Sequence, residues 1–470
     1  MKNFNIKLHI LAPLTLAVVL LMWFLPASSF GIEGLTVVQQ RTIAIFCYAA
    51  LMWMFEIIPA WATSVTTIVF LLIAVSNKGL ANETMGSLVG YKDLMASFAD
   101  PIIMLFLGGF VLAITASKVG LDVVLARVLL KPFGTNPKWV LLGFLTLISV
   151  MSMFMSNTAT AAMMLAFLAP VLRTLPADGG GRVSLAMAIP IAANIGGLGT
   201  PIGTPPNAIA IGQLAAMDIN VGFAAWMIRF VPVVIIMILF SWWLLQMLFP
   251  FKAKDVKIVI NTNEEHEMDW KFWVVTITFI ATILLWMTGE LTHLNSNVVA
   301  LIPFGIFALL GIFTRDDFAK IDWHVLWMVA GGFAIGTALN KTGLAAALVE
   351  SIPFGSWSAI VVLVTAGLLG WILSNFIANS SAANLLVPIL AVVGTAMSEQ
   401  LGAFGGVTTL LVCVAASTSF AMLLPISTPP NAIACSTGLI QTKDMTKVGL
   451  IVGLVGIALS YAVLLLFPFK

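Results

Sequence analysis

Long apolar segments, interrupted at a few places by small polar residues, make up almost the whole chain. Most segments run for roughly 17 to 25 residues, which suits helices that cross a hydrocarbon core about 30 Å thick. Strands of a membrane barrel are shorter and alternate apolar with polar residues. The pattern therefore predicts an all-α polytopic membrane protein with about eleven transmembrane helices.

Two groups of hydroxyl and amide residues lie in the middle of apolar runs and predict re-entrant hairpins. Ser156-Asn157-Thr158 lies within the run 139–175, and Ala378-Asn379-Ser380 lies within the run 357–397. Non-helical backbone at membrane depth is tolerated only where it faces protein or a water-filled cavity. We therefore expect both hairpin tips to line a binding site.

The second half of the chain repeats the sequence pattern of the first half. Each hairpin is followed by an interrupted span with a matched signature, Thr204-Pro205-Pro206-Asn207 in one half and Thr428-Pro429-Pro430-Asn431 in the other. This duplication predicts one repeat over 1–249 with spans one to six and a second over 271–470 with spans seven to eleven. The polar segment 250–270 between them is predicted to be a cytoplasmic linker.

The basic residues indicate the orientation. A cytoplasmic N-terminus places most of the 22 Lys and Arg residues on the cytoplasmic side, as the positive-inside rule requires. An odd number of spans then separates the hairpins, so the first opens to the cytoplasm, the second to the outside, and the repeats are inverted. Lys2, Lys7 and the apolar run to Phe24 also resemble a signal peptide. The length of that run favours a first transmembrane span that is retained over a signal peptide that is cleaved. We expect the membrane to be a bacterial-type cell membrane.

Composition excludes several classes of protein. With 60% hydrophobic and 9% charged residues, a water-soluble fold is excluded. A net charge of +2 and the lack of a basic block give no sign of nucleic-acid binding. The histidines His9, His293 and His324 are far from the four polar motifs, which argues against an enzyme and against an organic cofactor. An anion channel is less favoured, because no ring of charged residues or filter repeat is present.

The polar breaks favour an anionic ligand. A helix that starts inside the membrane directs unpaired N–H groups and the positive end of its dipole at whatever lies in front of it. Two such starts facing each other suit a ligand with a negative group at each end. The four motifs contain no Arg or Lys, and the carbonyls freed at the breaks are hard-cation ligands that suit a bound Na⁺. Small residues at one break alone would equally fit close helix packing.

Taken together, Ser156-Asn157-Thr158 and the two Pro-Pro-Asn-Ala-Ile signatures, at 205–209 and 429–433, resemble the divalent anion/sodium symporter family. The resemblance covers essentially the whole chain. It implies a homodimeric carrier of di- and tricarboxylates that works by an elevator movement. The implied scaffold covers approximately 1–135 and 271–350, and the implied transport domain covers 136–249 and 351–470.

The resemblance also implies functions for individual residues. Those implied to bind substrate are Ser156, Asn157, Thr158, Thr204, Pro205, Asn379, Ser380, Thr428 and Pro429. Those implied to bind sodium are Ser152, Ser156, Asn157 and Gly203 at one site and Ala378, Asn379 and Ser427 at the other.

The chain departs from the family pattern at Ala378, where the family has a serine. A hydroxyl is missing there, which leaves the second sodium site incomplete. The expected function is transport of C4 or C5 dicarboxylates such as succinate, malate, fumarate or 2-oxoglutarate. The missing hydroxyl favours exchange of one dicarboxylate for another slightly over sodium-coupled symport of a dicarboxylate or citrate.

Overall fold

The structure, a computed structural model, describes residues 6–176, 180–256, 268–351 and 357–469. Within these ranges the chain forms helices and no β-strand, so the predicted all-α class is confirmed. Most of the predicted linker, 257–267, lies outside the described residues.

Within the described residues, the first half contains eleven α-helices, several of them separated by breaks of only a few residues. They are α1 (Ala12–Phe24), α2 (Val37–Phe55), α3 (Ala60–Ala74), α4 (Tyr91–Ala96), α5 (Pro101–Lys118), α6 (Leu121–Leu130), α7 (Pro137–Ser152), α8 (Asn157–Thr174), α9 (Gly181–Gly197), α10 (Pro205–Ala215) and α11 (Phe223–Leu248). The hairpin predicted for 139–175 corresponds to α7 and α8, and the first interrupted span corresponds to α9 and α10.

The described part of the second half has the same succession of long, broken and paired helices. They are α12 (Trp270–Met287), α13 (Gly289–Thr292), α14 (Ser296–Leu309), α15 (Arg315–Phe318), α16 (Trp323–Lys341), α17 (Leu344–Ser351), α18 (Ala359–Phe376), α19 (Asn379–Ala396), α20 (Ser398–Gly402), α21 (Gly406–Ser419), α22 (Pro429–Cys435) and α23 (Thr442–Leu466). Here α18 and α19 correspond to the second predicted hairpin, and α21 and α22 to the second interrupted span.

In the described ranges, six helical segments are long and apolar enough to cross a membrane: Tyr91–Lys118, α11, α12, α18, α19 and α23. A seventh results if α16 and α17, which are bent by 67° at their junction, form one span. Shorter apolar helices include α3, α7, α14 and α21. The protein is a multi-pass membrane protein, and the number of eleven spans stays a prediction.

Helices from the two halves pack on each other in matched pairs. In one pair α3 packs against α16, and in the other α14 packs against α5. Likewise α10 packs on α19 and α21, while α22 packs on α8 and α9. Each broken helix of one half therefore rests on the hairpin of the other half, which brings the four polar motifs into one region.

A buried carboxylate ties the end of α5 to the segment between α14 and α16. Asp317, which is 1% exposed, forms an ion pair with Lys118 and another, at 3.0 Å, with Lys320. The amide of Thr314 also donates to this carboxylate at 2.9 Å. Burial alone would raise the pKa of Asp317, but hydrogen bonds from Lys118, Thr314 and Lys320 outweigh it and hold the pKa well below its usual range. Lys118 thus has a structural contact here, whereas Lys341, at the matching position, is exposed.

We predict that Lys118→Met lowers the free energy of unfolding by about 3 kcal/mol, because it leaves a buried carboxylate without its main partner. Lys320→Met is the matched control. The Lys320 side chain is 60% exposed, so its removal should cost less than about 1 kcal/mol. Thermal unfolding of the purified protein measures both.

The pKa of Asp317 is lowered by folding, so the ion pair's stabilisation is complete above the unfolded-state pKa of about 3.9 and is lost only as the pH falls below it. The difference between the two variants should therefore be the same at pH 6 and pH 8. Equal melting temperatures for the two variants would contradict the assignment.

Candidate functional site

The first break begins where α7 ends at Ser152, and the chain turns through 153–156 before α8 starts at Asn157. Ser156 is the N-cap of α8, with φ −61° and ψ 140°, and its hydroxyl accepts a hydrogen bond from the amide of Ala159 at 3.2 Å. This is the local reason for the helix start, since a serine side chain satisfies one of the amides that the first turn leaves unpaired.

The second break has the same backbone and lacks the cap. Ala378 is the N-cap of α19, with φ −58° and ψ 140°, and makes no side-chain hydrogen bond. The first turn of α19 therefore has one unpaired amide more than the first turn of α8. The hydroxyl whose absence the sequence analysis singled out is the one that would cap this helix.

In each hairpin, a serine near the end of the first helix contacts the asparagine that begins the second helix. Ser152 Oγ lies 2.6 Å from the Asn157 carboxamide and 2.8 Å from the carbonyl of Ala193. In the other half, Ser374 Oγ lies 2.8 Å from Asn379 Oδ1 and 2.9 Å from the carbonyl of Thr418. Both breaks are thus cross-linked to the neighbouring interrupted span by the same arrangement.

The Asn157 carboxamide has one terminal atom surrounded only by acceptors. This atom lies 2.6 Å from Ser152 Oγ, 3.2 Å from the carbonyl of Ala193 and 3.1 Å from the carbonyl of Gly203. An amide nitrogen in this position donates to these acceptors, and the carboxamide oxygen then faces the donors around the other terminal atom.

Glycines allow the backbone to approach closely at this cluster. A Cβ on Gly203 would lie 2.4 Å from the carbonyl oxygen of Gly197, and a Cβ on Gly197 would lie 2.6 Å from the Asn157 carboxamide. No side chain fits in either place. Gly203 therefore reaches the cluster through its backbone carbonyl, the only kind of ligand it can offer.

The asparagine of each Pro-Pro-Asn signature closes its own break. Asn207 Nδ2 donates to the carbonyls of Gly197 and Thr200, at 3.1 and 2.8 Å. Asn431 Nδ2 donates to the carbonyls of Met422 and Leu424, at 3.2 and 2.9 Å. Both satisfy carbonyls that a continuous helix would have paired, so they hold the backbone and are not free for a ligand.

The threonines before the proline pairs differ between the halves. Thr428 Oγ1 accepts from the amide of Asn431 at 3.3 Å and caps α22, whereas Thr204 makes no cap bond to α10. Ser427 is committed inside the protein, because its hydroxyl donates to the carbonyl of Asn375 at 2.9 Å and accepts from the amide of Leu424 at 3.1 Å.

Exposure separates the sequence-predicted residues into three groups. Thr158 and Pro429 are exposed. Those half-buried are Ser156, Asn157, Pro205, Ala378, Asn379 and Ser380. Those buried are Ser152, Gly203, Thr204, Ser427 and Thr428. The exposed residues lie on α8 and α22, which pack on each other, so this side of the motifs is the open one.

A partly open cavity of about 470 Å³ lies elsewhere, between the start of α5, the end of α10 and the loop after α12. Its walls include Pro101, Phe223, Trp286 and Glu290 and none of the predicted substrate-binding residues. In the part of the chain that the structure describes, no group of three His, Cys, Asp or Glu residues could hold a metal ion.

Sequence reasoning missed Asn194 and Asn375, two buried amides beside the motifs. Asn194 Nδ2 lies 3.2 Å from both Thr428 Oγ1 and Asn431 Oδ1. Asn375 Oδ1 accepts from the amide of Leu423 at 2.8 Å. A carboxamide side chain within an apolar helix is the sequence signal that could have identified both residues.

We predict that Ala378→Ser raises the free energy of unfolding by about 1 kcal/mol, because it adds the cap that Ser156 provides in the first half. Ser156→Ala is the reverse control and should lose about the same amount. Thermal unfolding in detergent compares the three proteins. A destabilised Ala378→Ser would show that a hydroxyl does not fit this turn.

We predict that Gly203→Ala lowers the melting temperature, because its Cβ meets backbone that cannot move aside. Gly305→Ala is the control, since a Cβ there has nothing within 4 Å. Wild-type behaviour of Gly203→Ala would show that the approach to Gly197 is not needed.

Comparison with known proteins identifies the family. A family model described as the transmembrane region of sodium:sulfate symporters matches residues 7–467. Sodium-dependent dicarboxylate transporters SdcS from Staphylococcus saprophyticus and Staphylococcus aureus are 29% and 30% identical, and each alignment covers 95% of this chain and 88% of the relative. The sodium-dependent high-affinity dicarboxylate transporter 3 of Caenorhabditis elegans is 28% identical over 87% of this chain and 79% of its own length. These matches are to transporters and not to enzymes. The chain belongs to the sodium:sulfate symporter family, the divalent anion/sodium symporters that its motifs resemble.

Proposed function

We propose that the protein is a sodium-coupled symporter of C4 or C5 dicarboxylates. The observation that carries this proposal is the pair of matched helix starts, at Asn157 and Asn379, in a chain whose relatives are named sodium-dependent dicarboxylate transporters. These names favour symport over the exchange that the missing hydroxyl at Ala378 slightly favoured.

The charges of substrate and site also favour sodium coupling. Each helix start supplies the equivalent of about half a positive charge, so α8 and α19 together offer about one. A dicarboxylate has two negative charges, and the four motifs contain no Lys or Arg. Bound sodium would supply the missing positive charge. An exchanger that binds no sodium would need another source of positive charge at the site.

Nine residues are proposed to contact the substrate. Asn157, Thr158, Asn379 and Ser380 begin the two helices and would hold the carboxylates through side chains and first-turn amides. The other members, Ser156, Thr204, Pro205, Thr428 and Pro429, would complete the walls. Thr158 and Pro429 are exposed and lie on α8 and α22, so a ligand can reach this set from that side.

Sodium would occupy the acceptor cluster at the first break. The hydroxyls of Ser152 and Ser156, the Asn157 carboxamide oxygen and the carbonyl of Gly203 are neutral oxygens, which suit a hard monovalent cation. The Asn157 NH₂ satisfies the same acceptors, so binding sodium through the carboxamide oxygen would require this side chain to turn. At the second break, Asn379, Ser427 and the backbone of Ala378 supply fewer oxygens, because Ala378 has no hydroxyl and Ser427 already donates to Asn375.

The packing supports an alternating-access movement between two parts. Helices α10 and α19 pack against α16, whereas α8 and α22 have exposed residues beside the motifs. We therefore infer a cleft that is closed towards the side of α10 and α19 and open towards the side of α8 and α22. The proposal has five further parts. They are inverted repeats over 1–249 and 271–470, a scaffold over 1–135 and 271–350, an elevator movement, a homodimer and a cytoplasmic N-terminus. A dicarboxylate exchanger is the alternative, and an anion channel is less favoured.

The purified protein in proteoliposomes should take up radiolabelled succinate, malate or 2-oxoglutarate only with an inward sodium gradient. Vesicles without sodium but loaded with unlabelled dicarboxylate are the control for exchange. Uptake that needs internal dicarboxylate and ignores sodium would establish the alternative. Uptake of none of these acids would contradict both.

We predict that Asn157→Ala and Asn379→Ala each reduce this uptake to background, because each removes an amide from one of the two helix starts. Asn340→Ala, which removes an exposed amide at the end of α16, should leave uptake unchanged. Size-exclusion chromatography checks that the variants remain folded. Full uptake by both site variants would refute the assignment.

A further inference from the structure

The hydroxyl of Thr428 is held in a network whose donors and acceptors can be assigned. Asn431 Nδ2 faces two carbonyls, those of Met422 and Leu424, at 3.2 and 2.9 Å. A carbonyl can only accept, so this amide group must be the NH₂. The Asn431 Oδ1 atom is thereby fixed as the acceptor that faces Asn194.

Asn194 must then be a donor. Its Nδ2 lies 3.2 Å from Asn431 Oδ1 and 3.2 Å from Thr428 Oγ1, and the residue is 2% exposed. Turning the amide would place two oxygens against each other inside the protein. In the orientation with Nδ2 as donor, the Asn194 Oδ1 atom is buried without a hydrogen-bond partner, which costs free energy.

Two donors consequently point at one threonine oxygen. Thr428 Oγ1 accepts from Asn194 Nδ2 at 3.2 Å and from the amide of Asn431 at 3.3 Å. A hydroxyl has two acceptor positions and one hydrogen. With both acceptor positions filled, the O–H of Thr428 must point away from Asn194 and Asn431.

The described residues of the first half contain no equivalent of this arrangement. Thr204, the matching N-cap, makes no side-chain cap bond to α10. Asn207, which matches Asn431, has a buried Oδ1 without a partner among the described residues. Asn194 therefore makes the two halves chemically different at positions where their sequences are nearly the same.

We propose that Asn194 is a positioning residue that fixes the Thr428 hydroxyl as a hydrogen-bond donor to one substrate carboxylate. This inference rests on the proposed function, and it adds a residue that does not itself contact the substrate. A carboxylate only accepts hydrogen bonds, so a threonine held as donor favours it over a ligand that presents a donor at this end.

Removing the donor should weaken substrate binding and leave turnover nearly intact. In Asn194→Ala the Thr428 hydroxyl loses its fixed direction, and the KM for sodium-driven dicarboxylate uptake should rise about tenfold, which is the value of one charge-assisted hydrogen bond. The kcat should change less than about twofold. Asn194→Leu, which nearly matches the volume without a donor, should behave in the same way.

A double-mutant cycle with Thr428→Val separates positioning from packing. In the Thr428→Val background there is no hydroxyl to orient, so Asn194→Ala should raise KM by less than about twofold further. Thr428→Ser keeps the hydroxyl and should retain the tenfold effect of Asn194→Ala. Melting temperatures of all variants show whether any effect comes from lost folding.

Two results would overturn the inference. If wild-type uptake is normal and the Asn194 and Thr428 effects on KM are additive, Asn194 does not act through the hydroxyl and the proposed function stands. If the wild-type protein transports none of the dicarboxylates, the proposed function fails and this inference fails with it.

Discussion

The structure depends on satisfying backbone groups at helix ends that lie inside an apolar protein. An unpaired amide or carbonyl in such surroundings costs about as much as a lost hydrogen bond, so every break needs side chains that replace the missing backbone partners. Asn207 and Asn431 do this for the carbonyls of the interrupted spans, and Ser156 does it for the amides of α8. What these residues leave unsatisfied, the first-turn amides at Asn157 and Asn379, is what an anion can use.

A site built in this way has no titratable group among its proposed ligands. Amides, hydroxyls and helix ends keep the same charge across the physiological pH range, so none of the proposed protein ligands gains or loses a proton when a dicarboxylate binds. Neutral ligands also supply too little positive charge for a dianion. In the proposed symport, this shortfall would connect substrate binding to sodium binding, because each charge is easier to bury beside the other.

The sequence predicted the parts of this arrangement that depend on local chemistry. The break at Ser156 and the helix starts at Pro205 and Pro429 follow from residue types that cap or begin helices. The break at Ala378, which has no capping side chain, was predicted from its match to the first break. The contacts of Asn194 with Thr428 and of Lys118 with Asp317 could not be predicted in this way, because each joins residues about 200 or more positions apart. Only the packing of one half on the other brings them together.

The same backbone in both halves with different side chains argues that the halves have different tasks. The first break combines a capped helix with a cluster of neutral oxygens around Asn157, which suits a cation next to the substrate. The second break has no cap at Ala378, but the neighbouring Thr428 is held by Asn194 as a donor, which suits a carboxylate directly. A duplicated chain begins with two equal half-sites. In the proposed symport both helix starts face the substrate, and the side chains that differ would give the first half the more complete ion site, while the carbonyl and amide contacts that close each break remain the same.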